Sequence, residues 1–293
     1  MLTDHICRHI GEVTGEDFAL ARKRPAQGGC INTAMVLEQD GRRYFVKMNQ
    51  AARVAMFEAE AEGLNAIRNT GTVRAPAPVC WGRAGDSGYL VLEHLKLVSG
   101  GSASLQRLGR QLAEMHRATD ARFGWHRDNT IGSTPQINTR TEDWVMFWRR
   151  HRLGMQLELA ANQGYRGRLQ QQGERLLEKL QEFFGSYEPL PSLLHGDLWG
   201  GNYAVDTEGN PVIYDPALYY GDREADLAMT ELFGGFGGAF YAAYRAAWPL
   251  DPGYGSRKTL YNLYHVLNHL NLFGGGYLAQ AESMIDRLLA EVA

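Results

Sequence analysis

The sequence predicts an α+β protein, with a small β-rich N-terminal part over residues 1–95 and a larger, mainly helical part over residues 96–293. Three observations predict it. Residues 18–95 carry short apolar runs broken by Gly, Pro and Asp-Gly, as strands and their turns do. Apolar residues recur at helical spacing over 104–118, 141–163 and 167–184, and helices return from residue 223 to the end. Between the two regimes lies VSGGSAS, a flexible link that puts the boundary near residues 96–101.

The elements follow in order. Residues 1–13 read as an amphipathic helix ending near Gly15. VLEQDGRRYFVK is a hairpin, two apolar runs about an Asp40–Gly41 turn. Residues 52–68 form a helix with Met56, Leu64 and Ile67 on one stripe. TVRAPAPVCWGR is held extended by its prolines, and GYLVLEHL is a short strand. Residues 193–215 break the helical pattern, because a Gly-rich loop separates short apolar runs and the DTEGN turn makes 203–214 a hairpin. The later helices are parted by Gly234–Gly238, by PLDPGYG and by Gly274–Gly276.

Composition narrows the function. Thirty Lys and Arg against 33 Asp and Glu give a net charge of −3, without the basic excess of a nucleic-acid binder. No apolar run reaches membrane-spanning length, and Asp4, His5, Arg8 and Glu12 break the N-terminus, so a cytoplasmic protein is expected. Three cysteines without a CxxC pair argue against a disulfide framework or zinc ribbon. Cys7 and Cys80 read as buried apolar side chains, and the pairs His5/His9 and His265/His269, lacking HExxH, as helix surface or core.

The chemistry concentrates in SLLHGDLWGGNYAVDTEGNPVIYDPA. His195-Gly196-Asp197 is followed five residues later by Asn202, and Asp215 ends the apolar strand VIY. This order is the catalytic-loop and metal-loop arrangement of phosphoryl transfer on the protein-kinase-like fold, a bilobal architecture. A carboxylate at Asp197 can accept the proton of an acceptor hydroxyl. Asn202 and Asp215 offer the oxygen donors that Mg²⁺ takes alongside the phosphates of ATP. Lys47, ending YFVK, is placed to meet those phosphates, and Glu60, ahead of Glu58, is its expected ion-pair partner from the following helix. Gly28, Gly29, Cys30, Ile31 and Asn32 form the loop expected over the phosphates, where glycine lets backbone N–H groups approach an anion. Glu93, His94 and Leu95 stand where a linker would meet adenine through its backbone. GxGxxG and an APE segment are missing, and Pro-Ala follows Asp215, so a small molecule rather than a protein with an activation loop is the expected type of acceptor.

Beyond these groups, GGCIN, MFEAEAEGL, FGWHRDNTIGSTPQINTRTEDWVMFWRRHRLGMQL, LLHGDLWGGN and VIYDPALYYGDREADLAMTELFGGF resemble the fructosamine kinase family, over about residues 7–288. The resemblance implies ATP- and Mg²⁺-dependent phosphorylation of the 3-hydroxyl of a ketosamine, either a small molecule or a glycated protein, with a ribulosamine preference and a role in protein deglycation or metabolite repair. Gly200 departs from the serine common in the family. The alternatives are a kinase of another small-molecule class, such as aminoglycosides or choline, and a pseudokinase. The latter predicts loss of Lys47, Asp197, Asn202 or Asp215, all of which are present. Neither nucleic acid nor membrane is an expected partner, and the sequence does not separate monomer from homodimer.

Around this core, Trp199 is expected to line the acceptor side, where an indole face suits a sugar C–H surface and a protonated amine. His195, Tyr219 and Asp222 are further expected substrate-side residues. For His195, bracing of its loop by hydrogen bonds is favoured over proton transfer, and Asp222 is a candidate for the substrate ammonium. Asp226 reads as a structural partner of the catalytic loop, and Trp144, Phe147 and Trp148 as core. The resemblance adds a redox role for Cys30, while Asn129, Gln136 and Asn138 carry no role that the sequence supplies.

Overall fold

A computed structural model describes residues 2–26 and 31–293. The chain divides into two compact units, one of residues 1–100 with 204–216 and one of residues 101–203 with 217–293.

The first unit is built on a five-stranded antiparallel sheet. Its spatial order is Arg22–Ala26, Thr33–Gln39, Arg42–Gln50, Ser87–Glu93 and Pro78–Ala84. The Asp-Gly turn forms as the sequence predicts. Gln39 pairs with Arg42, and Asp40 and Gly41 both take positive φ, 52° and 80°, the backbone a two-residue hairpin of this twist requires. The helix Leu2–Thr14 buries Ile6, Cys7 and Ile10 into a cluster with Phe18, Leu37, Val46, Cys80 and Val91. The helix Val54–Asn69 buries Phe57, Ala61, Leu64 and Ile67 at i, i+4, i+7 and i+10, a regular apolar face. Phe57 takes the buried end of that stripe in place of Met56, which is only half-buried.

The sequence puts the boundary between its parts at residue 95/96, with the 203–214 hairpin in the C-terminal one. The first unit instead takes in Ala204–Pro216. The cause is local pairing. Val205 and Asp206 join Val98 and Leu97 in an antiparallel ladder. Arg74 bridges to Val212, and its guanidinium bonds the Asp206 carboxylate at 2.7 Å. The Asp206 carboxylate in turn accepts from the backbone N–H groups of Glu208 and Asn210, which shapes the DTEGN turn.

In the second unit, helices Arg168–Glu178, Arg223–Leu232, Tyr254–Phe273 and Leu278–Glu291 contribute to an aromatic-rich core that includes Trp144, Phe147, Trp148, Tyr261 and Tyr264, and helices Ser102–His116 and Gly238–Ala247 pack on each other. At Gly109 two helices approach closely. A Cβ there would lie 2.3 Å from the Phe240 carbonyl oxygen, so only glycine lets Ser102–His116 and Gly238–Ala247 pack as they do. The predicted helix over 141–163 is interrupted. Trp144–Trp148 and Met155–Asn162 are α-helical, but Arg149–Gly154 is a π-turn. The wider turn goes with an inward Arg152, fully buried, whose guanidinium lies 4.0 Å from the Tyr219 ring centre and donates to the Ile137 carbonyl and Asn138 Oδ1. Among the described residues no helix is long and apolar enough to cross a membrane.

Candidate active site

Two constellations, one in each unit, carry the predicted chemistry. In the first, Lys47 sits on the central strand Arg42–Gln50, and its side chain is 4% exposed. Its ammonium bonds Glu60 Oε1 at 2.6 Å and also the carboxylate of Asp215. Glu60 is therefore the partner, as expected, and not Glu58. The helix period explains the choice, because residue 60 shares its face with Phe57, Leu64 and Ile67, the face turned to the sheet. Burial alone would drive the Lys47 pKa down. The two carboxylates outweigh it and raise the pKa above its ordinary 10.5, so the ammonium stays charged at every physiological pH. Burial pushes the Glu60 carboxyl up, against the pull of Lys47. Asp215 follows the strand Pro211–Ile213 with φ of 59°, a left-handed backbone rare outside glycine, and keeps 35% of its side chain exposed. A strained residue held by a buried cation and facing solvent with a carboxylate is suited to meet a ligand.

In the second unit, the strand Ser192–Leu194 leads into His195-Gly196-Asp197. Asp226, on the helix Arg223–Leu232, aims its carboxylate at this loop and accepts from the backbone N–H of His195 at 2.7 Å and of Gly196 at 2.8 Å. His116 Nε2 lies 3.2 Å from the same carboxylate, and its Nδ1 lies 2.8 Å from the Tyr244 hydroxyl. The carboxylate takes the Nε2 proton, which leaves Nδ1 to accept from tyrosine. Burial raises the Asp226 pKa, but the His116 hydrogen bond and the loop N–H groups outweigh it, so the carboxyl sits below its ordinary 3.8. Gly196 has φ of 82°, and a Cβ there would lie 2.0 Å from the Ala217 carbonyl oxygen, so the loop tolerates no side chain at this point. Asn202 uses its Nδ2 to bond the backbone carbonyl of Asp197 at 2.8 Å and Asp197 Oδ2 at 3.2 Å, tying the two functional side chains together. Asp197 itself is partly exposed.

Several expected substrate residues are not where a substrate could reach. Asp222 is fully buried, accepting from the Tyr187 and Tyr261 hydroxyls and from the Glu224 N–H as an N-cap. It cannot meet a substrate ammonium. Tyr219 is 2% exposed, stacked on Phe147 and beneath Arg152. His195 is fully buried, and its Nδ1 accepts from the Asp197 N–H at 3.3 Å, which makes it a brace of the loop. Trp199 is 39% exposed, with its indole folded over Gly201, where a Cβ would lie 2.3 Å from the ring. Gly200 has no such constraint. A Cβ there meets only the Phe236 ring at 4.0 Å, so the serine common in the family fits as well.

Gly28, Gly29 and Cys30 lie outside the described residues, and with them the redox role expected of Cys30. Ile31 and Asn32 both accept from the Asn49 side chain, which anchors the end of that loop to the strand carrying Lys47. Glu93 spends its side chain on Arg74 and on the Ala77 N–H, and its own N–H on the Ala77 carbonyl. Strand pairing stops there, leaving His94 and Leu95 half-buried beyond the ladder. Cys7 and Cys80 are buried free thiols, and burial pushes Cys80 up to about 12. Among the described residues no three His, Cys, Asp or Glu side chains gather as a metal cage. His9 bonds the Tyr89 hydroxyl, and His269 the His265 carbonyl.

The polar residues without an assigned role prove to be supports. Gln136 donates to the Ala217 carbonyl, Asn129 to the Leu218 carbonyl, and Asn138 accepts from Arg152. The signal was present as a run of amides in a segment otherwise rich in aromatics, but only the fold shows that they brace Ala217 and Leu218.

The whole chain fits one family. Residues 2–291 match the family model described as fructosamine kinase. The chain belongs to that family, and is a kinase. It is 49% identical over 285 residues to a protein assigned as a ketoamine kinase in Synechocystis sp., covering 97% of this chain and 96% of the relative. It is 48% identical over 266 residues to a chloroplastic protein-ribulosamine 3-kinase of Arabidopsis thaliana, covering 89% of this chain and 81% of that one. Among solved structures, one assigned as a fructosamine-3-kinase from Haemophilus somnus superposes with a TM-score of 0.90 at 26% identity, over 99% of this chain and 98% of the other. The protein-kinase-like fold is shared further, with an aminoglycoside phosphotransferase in complex with ADP and hygromycin B, at a TM-score of 0.65 and 14% identity over 97% of this chain and 98% of the other.

Two substitutions test these constellations. Lys47→Met should cost about 3–5 kcal/mol of stability, because it strands a buried carboxylate, and Glu60→Gln in the same chain should recover part of the loss; urea unfolding of the four cycle members measures it. Asp226→Ala leaves two buried N–H groups unpaired, at about 1–3 kcal/mol each. Since the folded pKa of Asp226 is depressed, its contribution is complete above pH 3.8 and lost as pH falls through the folded value. The difference between wild type and Asp226→Ala should therefore shrink in urea melts taken from pH 7 towards pH 3.

Proposed function

We propose that this kinase transfers the γ-phosphoryl group of ATP to the 3-hydroxyl of a ketosamine, a ribulosamine or fructosamine formed on a small amine or on a protein lysine. Two lines support the reading. The family match and the ribulosamine 3-kinase relative bear on the substrate class. The observation that carries the phosphoryl chemistry is the buried Lys47 joined to both Glu60 and Asp215. A nucleotide in the distant fold neighbour supports ATP as donor.

Within this reading each residue has a task. Asp197 accepts the proton of the attacking hydroxyl as the new O–P bond forms and the bond from the γ-phosphorus to the β–γ bridging oxygen breaks, releasing ADP, and Asn202 orients its carboxylate through Nδ2. Because Nδ2 is spent on Asp197, the Asn202 acceptor Oδ1 is the atom suited to a hard cation. Asp215 offers the second oxygen donor. Each residue offers oxygen, one neutral and one anionic, the donor type that Mg²⁺ takes alongside phosphate and water oxygens. Bound magnesium supplies charge neutralisation on the transferring phosphate. Lys47 is assigned to the α- and β-phosphates, held ready by Glu60. Ile31 and Asn32, with Gly28, Gly29 and Cys30, are assigned to the phosphate loop, and Glu93, His94 and Leu95 to the adenine end. Trp199 is assigned to the acceptor. A cytoplasmic location and a role in protein deglycation or metabolite repair belong to the same proposal.

The test is ATP consumption measured side by side with ribuloselysine, fructoselysine, kanamycin and choline. Turnover confined to the two ketosamines is expected, and a preference for kanamycin or choline overturns the substrate class. Asp197→Ala should lower kcat by about 10²–10⁴-fold with the ATP KM kept within about threefold. Full turnover by this variant would remove Asp197 from its role.

A further inference from the structure

Outside the residues already assigned, the second unit carries a run of aromatic rings that continues from Trp199. The Trp199 ring stands edge-on to Phe233, with centres 6.1 Å apart. Phe233 lies 4.9 Å from His269, and His269 lies 5.4 Å from Phe273 and 5.2 Å from Tyr277. Trp199, Phe233 and Phe273 are 39%, 39% and 59% exposed, and among the described residues they are the only aromatics in the set of exposed large hydrophobic side chains. Exposed apolar side chains scattered singly need no explanation, but a continuous row of rings does.

The electrostatics of the row point to a cation. Phe233 is the C-cap of the helix Arg223–Leu232, and Phe273 is the last residue of the helix Tyr254–Phe273. Two helix C-termini, each with its partial negative charge, therefore end at this surface. Neither helix has a basic residue in its last turn, so that charge is not offset along the chain. Aromatic faces attract cations as well. His269 fits between the two phenyl rings without adding positive charge. Its Nδ1 donates to the His265 carbonyl at 2.8 Å, and burial holds its pKa below the ordinary 6.5, so the ring is neutral at pH 7.

We propose that Phe233 and Phe273, spaced by His269, extend the acceptor site beyond Trp199 and take the distal, ammonium-bearing part of the amine that carries the ketose. The inference rests on the ketosamine reading above. It makes Phe233 and Phe273 specificity-determining residues. They favour ketosamines of long aliphatic diamines or lysine over those of short monoamines, through apolar contact with the methylene chain and cation–π contact with the terminal ammonium.

The experiment compares two acceptors that differ only in that distal part, the ribulosamine of ethylamine and the ribulosamine of cadaverine. Wild type, Phe233→Ala, Phe273→Ala and Phe273→Leu are assayed with both. The leucine variant keeps apolar bulk and removes the ring face. Expected is a rise of about 3–30-fold in KM for the cadaverine adduct in each alanine variant, from the usual strength of a cation–π contact, with a smaller rise for leucine. The ethylamine adduct, kcat and the ATP KM should stay within about twofold, and unchanged melting temperatures report intact folding. Equal KM changes for both acceptors, or none for the cadaverine adduct, overturn the inference while leaving the ketosamine reading in place. A wild type that phosphorylates neither adduct overturns that reading, and the inference with it.

Discussion

A single buried ammonium organises the first unit. Lys47 is almost wholly removed from water, a position that disfavours its charge by itself. Two carboxylates reverse this, Glu60 from the neighbouring helix and Asp215 from a hairpin far along the sequence. The pairing leaves little freedom to any of the three. It orients the helix Val54–Asn69 on the sheet and holds Asp215 in an unfavourable backbone region. The cost of desolvating these groups argues that the triad is kept for what it can bind rather than for stability.

The second unit solves a similar problem with a different device. A loop that must present Asp197 to solvent cannot satisfy its own backbone through regular structure. The buried carboxylate of Asp226 does so, accepting two consecutive N–H groups, and is itself held by His116 and, behind it, Tyr244. Gly196 and Ala217 are in contact closer than any Cβ allows, and Gln136 and Asn129 donate to the Ala217 and Leu218 carbonyls. The carboxylates of Asp197 and Asp215 thus keep contact with solvent, while the groups that aim them are many and buried.

Legibility from sequence followed the range of the interaction. The Asp-Gly hairpin and the Val54–Asn69 helix depend on residues close in the chain and are readable from it, and the His195–Asp197 loop is readable as a motif although its supports lie far away in sequence. Glu60 was chosen correctly over Glu58 because helix periodicity alone separates them. Tyr219 and Asp222 do not follow the substrate-side expectation, because closeness in sequence to Asp215 says nothing about burial, whereas His195 takes the bracing role that the sequence also offers. Tyr219 and Asp222 both follow Asp215 within one short segment, yet their side chains turn into the interior. The π-turn at Arg149–Gly154 was equally hidden, since its sequence keeps a helical pattern while its geometry goes with the burial of Arg152.

By itself the sequence determined the fold class, the order of the elements and the residue types available for phosphoryl transfer, because short-range periodicity and turn chemistry act within a few residues. Tertiary structure decided which of those side chains meet solvent and which become supports. That division depends on pairings across as many as 168 positions, such as Lys47 with Asp215, and no local pattern encodes it.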